Sequence, residues 1–264
     1  YKQIYGQEYF QLYRNVLGVN FHFEHIPSLT QLFANVRYFL VNHSEISTYP
    51  RPINDKIGFI GGIAFGENSF QKFHDKIIEN REIEPVWRDY SDNCLVIFSL
   101  GTFSNFKGMS IDQLSTMLEV FNQQQNCQFI IRGDKYLQEL INNYNYIPNN
   151  LLISYEKIDL KGILAQSNTK LAIIHCGQNS LNEALYAGVP VICIPFVGDQ
   201  RYNASIVEYL KLGKWVPAPN FVNKFQRAVD ALLDEDNGYQ ERAKRFAEQL
   251  HNQDLNPTQI FINA

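Results

Sequence analysis

Three short segments hold the side chains best suited to chemistry. The first is His175-Cys176-Gly177-Gln178-Asn179-Ser180, followed three residues on by Glu183. An apolar run ends at His175, Gly177 lets the chain turn, and Ser180 reads as the opening of a helix. A helix N-terminus has free N–H groups and a positive dipole end, which suits a diphosphate. Ser180 and Glu183 also have the S-x-x-E spacing of a capping box; the alternative gives Glu183 to ribose hydroxyls, which donate to a carboxylate. His175 has an ordinary reading as a strand-end histidine bonded to backbone. The second segment is Ser99-Leu100-Gly101-Thr102. A small hydroxyl and a glycine allow a close backbone approach, with an oxygen or N–H offered to a phosphate, although plain turns share this composition. The third is Asp199-Gln200, behind Pro195-Phe196-Val197-Gly198. Asp199 reads either as a helix cap or, with Gln200, as a carboxylate and an amide facing a polyhydroxy ligand.

Each segment follows an apolar run, and the runs recur from Cys94 onward: 95–100, 128–131, 151–153, 171–174 and 189–194. Between them lie stretches with helical spacing. Ile111, Leu114, Met117, Leu118 and Phe121 fall on one face behind Ser110 as a cap, and Leu137, Leu140 and Ile141 repeat the pattern. Further helices are expected at about 199–212, ending before Gly213, and near 221–233 and 238–251. Strands apolar throughout are covered on both faces, and strands alternating with helices give a parallel sheet. Residues 94 to about 252 therefore read as a doubly wound α/β domain, whose ligands bind at the carboxyl ends of the strands. All three chemical segments fall on that edge. The first 90 residues are irregular: Ser28 caps a short helix through Asn35, 37–41 and 57–60 look like strands, and the prolines and Gly61-Gly62 read as a linker.

Composition narrows the function further. A net charge of −4 and a pI near 5.9 argue against a nucleic-acid partner, which needs a basic face. The longest apolar stretch, Val189 to Val197, is half of a membrane span. The chain opens on Tyr1 without a signal peptide and reads as part of a longer protein. Cys94, Cys127, Cys176 and Cys193 include no C-x-x-C pair, and three lie in or beside apolar runs, so they read as buried free thiols. The N-x-Ser triplets at Asn42 and Asn203 are no more than composition yields by chance.

The residues also match a known family. His175-Cys176-Gly177-x-Asn179-Ser180-x-x-Glu183-Ala184, with Gly188-Val189-Pro190, Pro195, Asp199-Gln200 and Asn203-Ala204, closely resembles the donor-binding signature of the UDP-glycosyltransferases. Ser99-x-Gly101-Thr102 resembles the family's phosphate loop, and Asn42, Arg51-Pro52 and Ile60-Gly61-Gly62 resemble the junction of its two domains. The resemblance implies the C-terminal, Rossmann-like half of a GT-B fold. Residues 1–60 would be the tail of the N-terminal acceptor domain, 61–90 a linker, 91–252 the nucleotide-sugar domain, and 253–264 the start of a C-terminal segment. It further implies that Ser99, Gly101 and Thr102 serve the diphosphate from one loop. His175, Gly177, Asn179 and Ser180 would serve it from the helix N-terminus, Glu183 would take the ribose, and Asp199 with Gln200 the sugar hydroxyls.

The reaction so implied is inverting transfer of glucuronate or glucose from a UDP-sugar to a hydroxyl of a small lipophilic acceptor, with no metal or other cofactor. Location in the endoplasmic reticulum, membrane-anchored at full length and devoted to detoxification, is part of the same implication. Two departures stand out. The family's Trp-x-Pro-Gln segment, whose tryptophan stacks on uracil, is replaced by Lys157, Ile158, Asp159 and Leu160, with Tyr155 nearby. The catalytic histidine belongs to the part of the N-terminal domain that this chain lacks, and none of His22, His25, His43, His74 or His251 reads as its counterpart at a strand end. The chain is therefore expected to hold the donor site alone. A binding module without turnover and a donor-binding subunit of a split transferase are the alternatives.

Overall fold

The computed structural model describes residues 28–65, 94–101, 105–144, 146–253 and 256–264, together with Asn15. Six strands form the main sheet: β3 (Cys94–Ser99), β4 (Cys127–Arg132), β5 (Leu151–Ser154), β6 (Thr169–Ile174), β7 (Val191–Cys193) and β8 (Gly213–Trp215). Their order is β5-β4-β3-β6-β7-β8 and every pairing is parallel. This is the doubly wound order in which the chain starts at the centre, builds outward one way, then returns to build the other.

The apolar runs explain why. Alternate residues of one strand enter different cores, because successive side chains point to opposite faces. Val96 and Phe98 join Phe129, Ile131 and Ile173 beneath the helices α2 (Ile111–Gln123), α3 (Lys135–Asn142) and α7 (Phe221–Leu233). Leu95 and Ile97 join Ile130, Ala172 and Ile174. The helices α4 (Leu160–Leu164), α5 (Gln178–Tyr186), α6 (Gln200–Tyr209) and α8 (Tyr239–His251) cover that face. Ser110 caps α2 as its sequence suggests, accepting from Gln113 N while the Gln113 side chain returns to its own N–H.

Before the sheet, α1 (Leu29–Asn35) starts at Ser28 in a full capping box. The strands β1 (Phe39–Val41) and β2 (Ile57–Phe59) then pair in parallel. This small piece is tied to the main body at several points. Tyr186 OH donates to Gly61 O at 2.8 Å, and Gln253 Nε2 donates to Ser44 Oγ at 2.7 Å. The last helix, α9 (Pro257–Asn263), lies against β2. Most of the expected linker falls outside the described residues.

Several expectations shift. The run 189–194 shortens to a three-residue strand, since Pro190 has no N–H for the ladder, although its carbonyl accepts from Ala172 N at 3.0 Å. The helix expected through Leu212 stops at Tyr209, and Gly213 opens β8 instead, where a Cβ would collide with the Val191 carbonyl. The cysteines are not free thiols: Cys94 pairs with Cys127, and Cys176 with Cys193. Strand register brings Cys94 and Cys127 opposite each other with Cα atoms 4.3 Å apart, which linear spacing does not reveal. Among the described residues no helix is long and apolar enough to cross a membrane.

Candidate functional site

The site lies where β3 and β6 run side by side at the centre of the sheet. Ser99 is in register with Ile174, so the turn Ser99-Leu100-Gly101 and the turn His175-Cys176-Gly177 emerge as neighbours. Their helices cover opposite faces of the sheet, so the two connections diverge and leave a crevice between them. His175 stands in that crevice between two glycines. A Cβ on Gly101 would come within 2.5 Å of its Cε1, and one on Gly177 would overlap its Nε2. Gly101 also has φ +76°, a conformation that suits only glycine at low cost. Burial lowers the His175 pKa, opposed by the nearby Asp199 carboxylate, and its Nδ1 is buried without a partner.

The loops are held from behind. Gly101 N donates to Ser99 Oγ at 3.4 Å, and Arg132 Nη1, from the end of β4, donates to Gly101 O at 2.6 Å. Asp134 caps α3 and also accepts from Phe106 N at 2.8 Å, which anchors the far end of the same loop. Asn203, fully buried, donates to Cys176 O at 2.9 Å, so α6 fixes the turn that carries His175. Cys176 itself has φ +59°, an unusual position for a residue with a side chain.

The helix α5 begins at Gln178 behind Gly177, which offers no side-chain cap. Ser180 therefore sits inside the first turn rather than before it, and the capping-box reading of Ser180 and Glu183 does not hold. The first N–H groups of α5 are left without a side-chain acceptor at the mouth of the crevice, ready for an anion. Glu183 lies half-buried on the next turn. Burial pushes its carboxyl above the usual range, with Lys161 opposing and Asp159 adding to the shift.

On the other flank, the loop after β7 brings Asp199 within electrostatic reach of His175, and Gln200 follows it as the first residue of α6. Asp199 is exposed and makes no cap to α6; its Oδ2 accepts from Asn203 Nδ2 at 3.2 Å. Gln200 is buried, and its Oε1 accepts from Phe196 N and Val197 N at 2.8 and 3.1 Å. That fixes the loop and leaves only its Nε2 end for a ligand. Thr102 lies outside the described residues. Tyr155 stands at the end of β5, its ring against the Gly133 backbone and partly exposed. An apolar cavity of about 270 Å³ behind Leu100, between Phe106 and Phe196, contains none of the expected donor residues.

Sequence reasoning missed four residues at or beside the site. Arg132, a charge closing an apolar run, and Asn182, four residues after Gln178 on α5, were visible as isolated features only. Asn42 was read as part of a domain junction, yet it donates to Asn179 Oδ1 at 2.9 Å. His43 lies two residues beyond β1, where the strand expected at 37–41 places it. Its ring lies edge-on to Tyr202, and burial lowers its pKa, with the Ser47 backbone opposing, Arg51 adding and Asp199 opposing. Of the remaining histidines, His22, His25 and His74 lie outside the described residues.

The six-stranded parallel sheet, wound outward from its centre with helices on both faces, is a Rossmann-like α/β fold of the kind that GT-B glycosyltransferases contain. Residues 1–262 match the family model for UDP-glucoronosyl and UDP-glucosyl transferase, and the chain belongs to that family. It is 27% identical over 97% of its length to the putative UDP-glucuronosyltransferase ugt-46 of Caenorhabditis elegans, of which it covers 47%. It is also 26% identical to mouse UDP-glucuronosyltransferase 2A3, over 79% of this chain and 36% of that protein. The chain thus spans about half the length of the first curated relatives it matches. Among solved structures, UDP-glucose:anthocyanidin 3-O-glucosyltransferase in complex with UDP aligns with a TM-score of 0.54 at 18% identity, over 67% of this chain and 41% of that one. The calicheamicin glycosyltransferase CalG4 aligns with a TM-score of 0.59 at 14% identity, over 97% and 62%. At these identities the structural likeness supports the fold.

Proposed function

We propose that this chain is the donor-binding part of a UDP-glycosyltransferase. The complete protein moves glucuronate or glucose from a UDP-sugar to a hydroxyl of a small lipophilic acceptor. The observation that carries this reading is the uncapped N-terminus of α5 beside His175, at the central crevice of the sheet. A diphosphate bound there would meet the α5 N–H groups, the Asn179 and Ser180 side chains and His175, with Ser99 and the Gly101 backbone on the opposite wall. Glu183 would accept from the ribose hydroxyls. Asp199 and the Nε2 end of Gln200 would hold the sugar.

The chemistry is a single displacement with inversion. The acceptor oxygen, losing its proton to a base in the N-terminal domain, forms a bond to the anomeric carbon as the bond to the UDP oxygen breaks. Negative charge grows on the leaving diphosphate, where helix N–H groups and side-chain donors stabilise it without reorganising. Holding the sugar by its hydroxyls aligns the anomeric carbon for attack. These groups supply the stabilisation that a metal provides elsewhere, so the reading needs no metal. A lumenal, membrane-anchored full-length protein fits the two disulfides, which persist in oxidising compartments.

The chain alone is expected to bind UDP weakly and to transfer no sugar. Calorimetry with UDP tests the assignment: the double variant Asn179→Ala/Glu183→Ala should lose most of the binding heat. Equal heats from the double variant and the wild type would refute the site.

A further inference from the structure

Four side-chain amides form a chain across the start of α5. Gln178 Nε2 donates to Asn182 Oδ1 at 2.8 Å. Asn182 Nδ2 donates both to the Asn42 main-chain carbonyl and to Asn42 Oδ1, each at 3.1 Å. Asn42 Nδ2 then donates to Asn179 Oδ1 at 2.9 Å. The oxygen and nitrogen ends of an amide are alike in shape, so the sense of such a chain rests on partners with a single role. Here the Asn42 main-chain carbonyl decides it, because a carbonyl only accepts. Asn182 must turn its nitrogen towards that carbonyl, and the same nitrogen claims Asn42 Oδ1. Asn42 is left to donate with its own nitrogen, and Asn179 must receive with its oxygen. The free end of Asn179 is therefore its NH2 group.

That outcome matters because a phosphate oxygen only accepts. An Asn179 flipped the other way would present its oxygen to the diphosphate and repel it. We propose that Asn42 is a positioning residue for the donor site: from the end of β1 it presets Asn179 with its N–H groups towards the leaving diphosphate. The inference rests on the reading of Asn179 as a diphosphate ligand. Asn42 is itself held in place, since the backbone beside it is fixed by Gly61 N donating to His43 O at 2.8 Å, and Gly61 O accepts from Tyr186 on α5. Part of the donor site is thus supplied from the end of β1, outside the main sheet.

The test uses ligand-observed NMR titration of this chain with UDP and with uridine, which lacks the phosphates. Asn42→Asp keeps the shape and still accepts from Asn182, but it can no longer donate, so Asn179 must turn its NH2 inward. UDP affinity should fall roughly tenfold, the scale of one charge-assisted hydrogen bond, while uridine affinity holds within about twofold. In an Asn179→Ala background the same substitution should add less than about twofold, which separates repositioning from repulsion by the new charge. Asn42→Ala, which frees Asn179 to rotate, should give an intermediate loss of UDP and the same indifference to uridine. A full loss from Asn42→Asp that persists without Asn179, or UDP binding unchanged in both Asn42 variants while Asn179→Ala weakens it, would overturn the inference. If Asn179→Ala itself leaves UDP affinity unchanged, the diphosphate reading fails first, and the inference with it.

Discussion

Alanine at Gly177 should push the His175 ring aside without disturbing the backbone, whereas alanine at Gly101 should do both. Gly177 has φ −62° and ψ 145°, which alanine adopts freely, while Gly101 has φ +76°. For each position the three atoms nearest an added Cβ all belong to His175. In the wild-type background both substitutions force the ring out of the crevice, an overpacking cost of about 1–3 kcal/mol. Removing the ring with His175→Ala separates the contributions. Gly101→Ala then keeps the left-handed penalty of about 1–2 kcal/mol, partly offset by about 0.4–1 kcal/mol of lost unfolded-chain entropy. Gly177→Ala keeps only the entropic gain and becomes neutral or stabilising by up to about 1 kcal/mol. Urea denaturation of the six proteins, with UDP titrations alongside, measures both effects. If Gly177→Ala destabilises the His175→Ala protein as much as the wild type, the ring is not what fills the space between the glycines, and the geometry of the crevice is wrong.

Asp199→Ala should weaken UDP-sugar binding while leaving UDP nearly unchanged; an equal loss for both ligands in paired titrations would assign Asp199 to fixing the loop through Asn203. Because burial raises the Glu183 pKa, the folded protein holds that proton to higher pH than the unfolded chain. Stability should therefore fall as pH rises from the ordinary carboxylate range through the raised value, and Glu183→Gln should flatten that fall in a series of urea midpoints. Ribose hydroxyls favour the ionised carboxylate, so UDP-sugar affinity should rise over the same interval in the wild type and not in Glu183→Gln. Away from the site, buried Asn150 donates to the carbonyls of Phe121, Gln124 and Cys127 at 2.8–3.0 Å. Asn150→Ala should cost about 1–3 kcal/mol in unfolding free energy, since it removes a buried donor shared by three carbonyls, of which those of Phe121 and Gln124 keep a backbone N–H partner.

Much of this molecule follows from local sequence. Apolar runs at regular intervals, separated by helical spacing, specify a parallel sheet covered on both faces, because a strand without polar alternation has no side to show to water. Ser28 and Ser110 cap their helices with chemistry complete within four residues. The signature from His175 to Asn203 likewise marks a sheet edge, since each segment follows an apolar run. Other features needed the third dimension. The start of α5 is two residues earlier than Ser180, because it is set by the turn at Gly177 packing against His175. The Cys94–Cys127 pair arises from strand register, the Cys176–Cys193 pair from the turn after β6 lying beside β7, and β8 is a strand only because β7 accepts it along its edge. The orientation of Asn179 depends on Asn42, 137 residues away in the chain. Sequence alone thus determined which residues reach the carboxyl edge of the sheet. Only the folded chain decided which end of each amide between Asn42 and Asn179 is committed to a partner, and that the His175 ring stands between Gly101 and Gly177, because those choices depend on hydrogen bonds and close approaches between segments far apart in sequence.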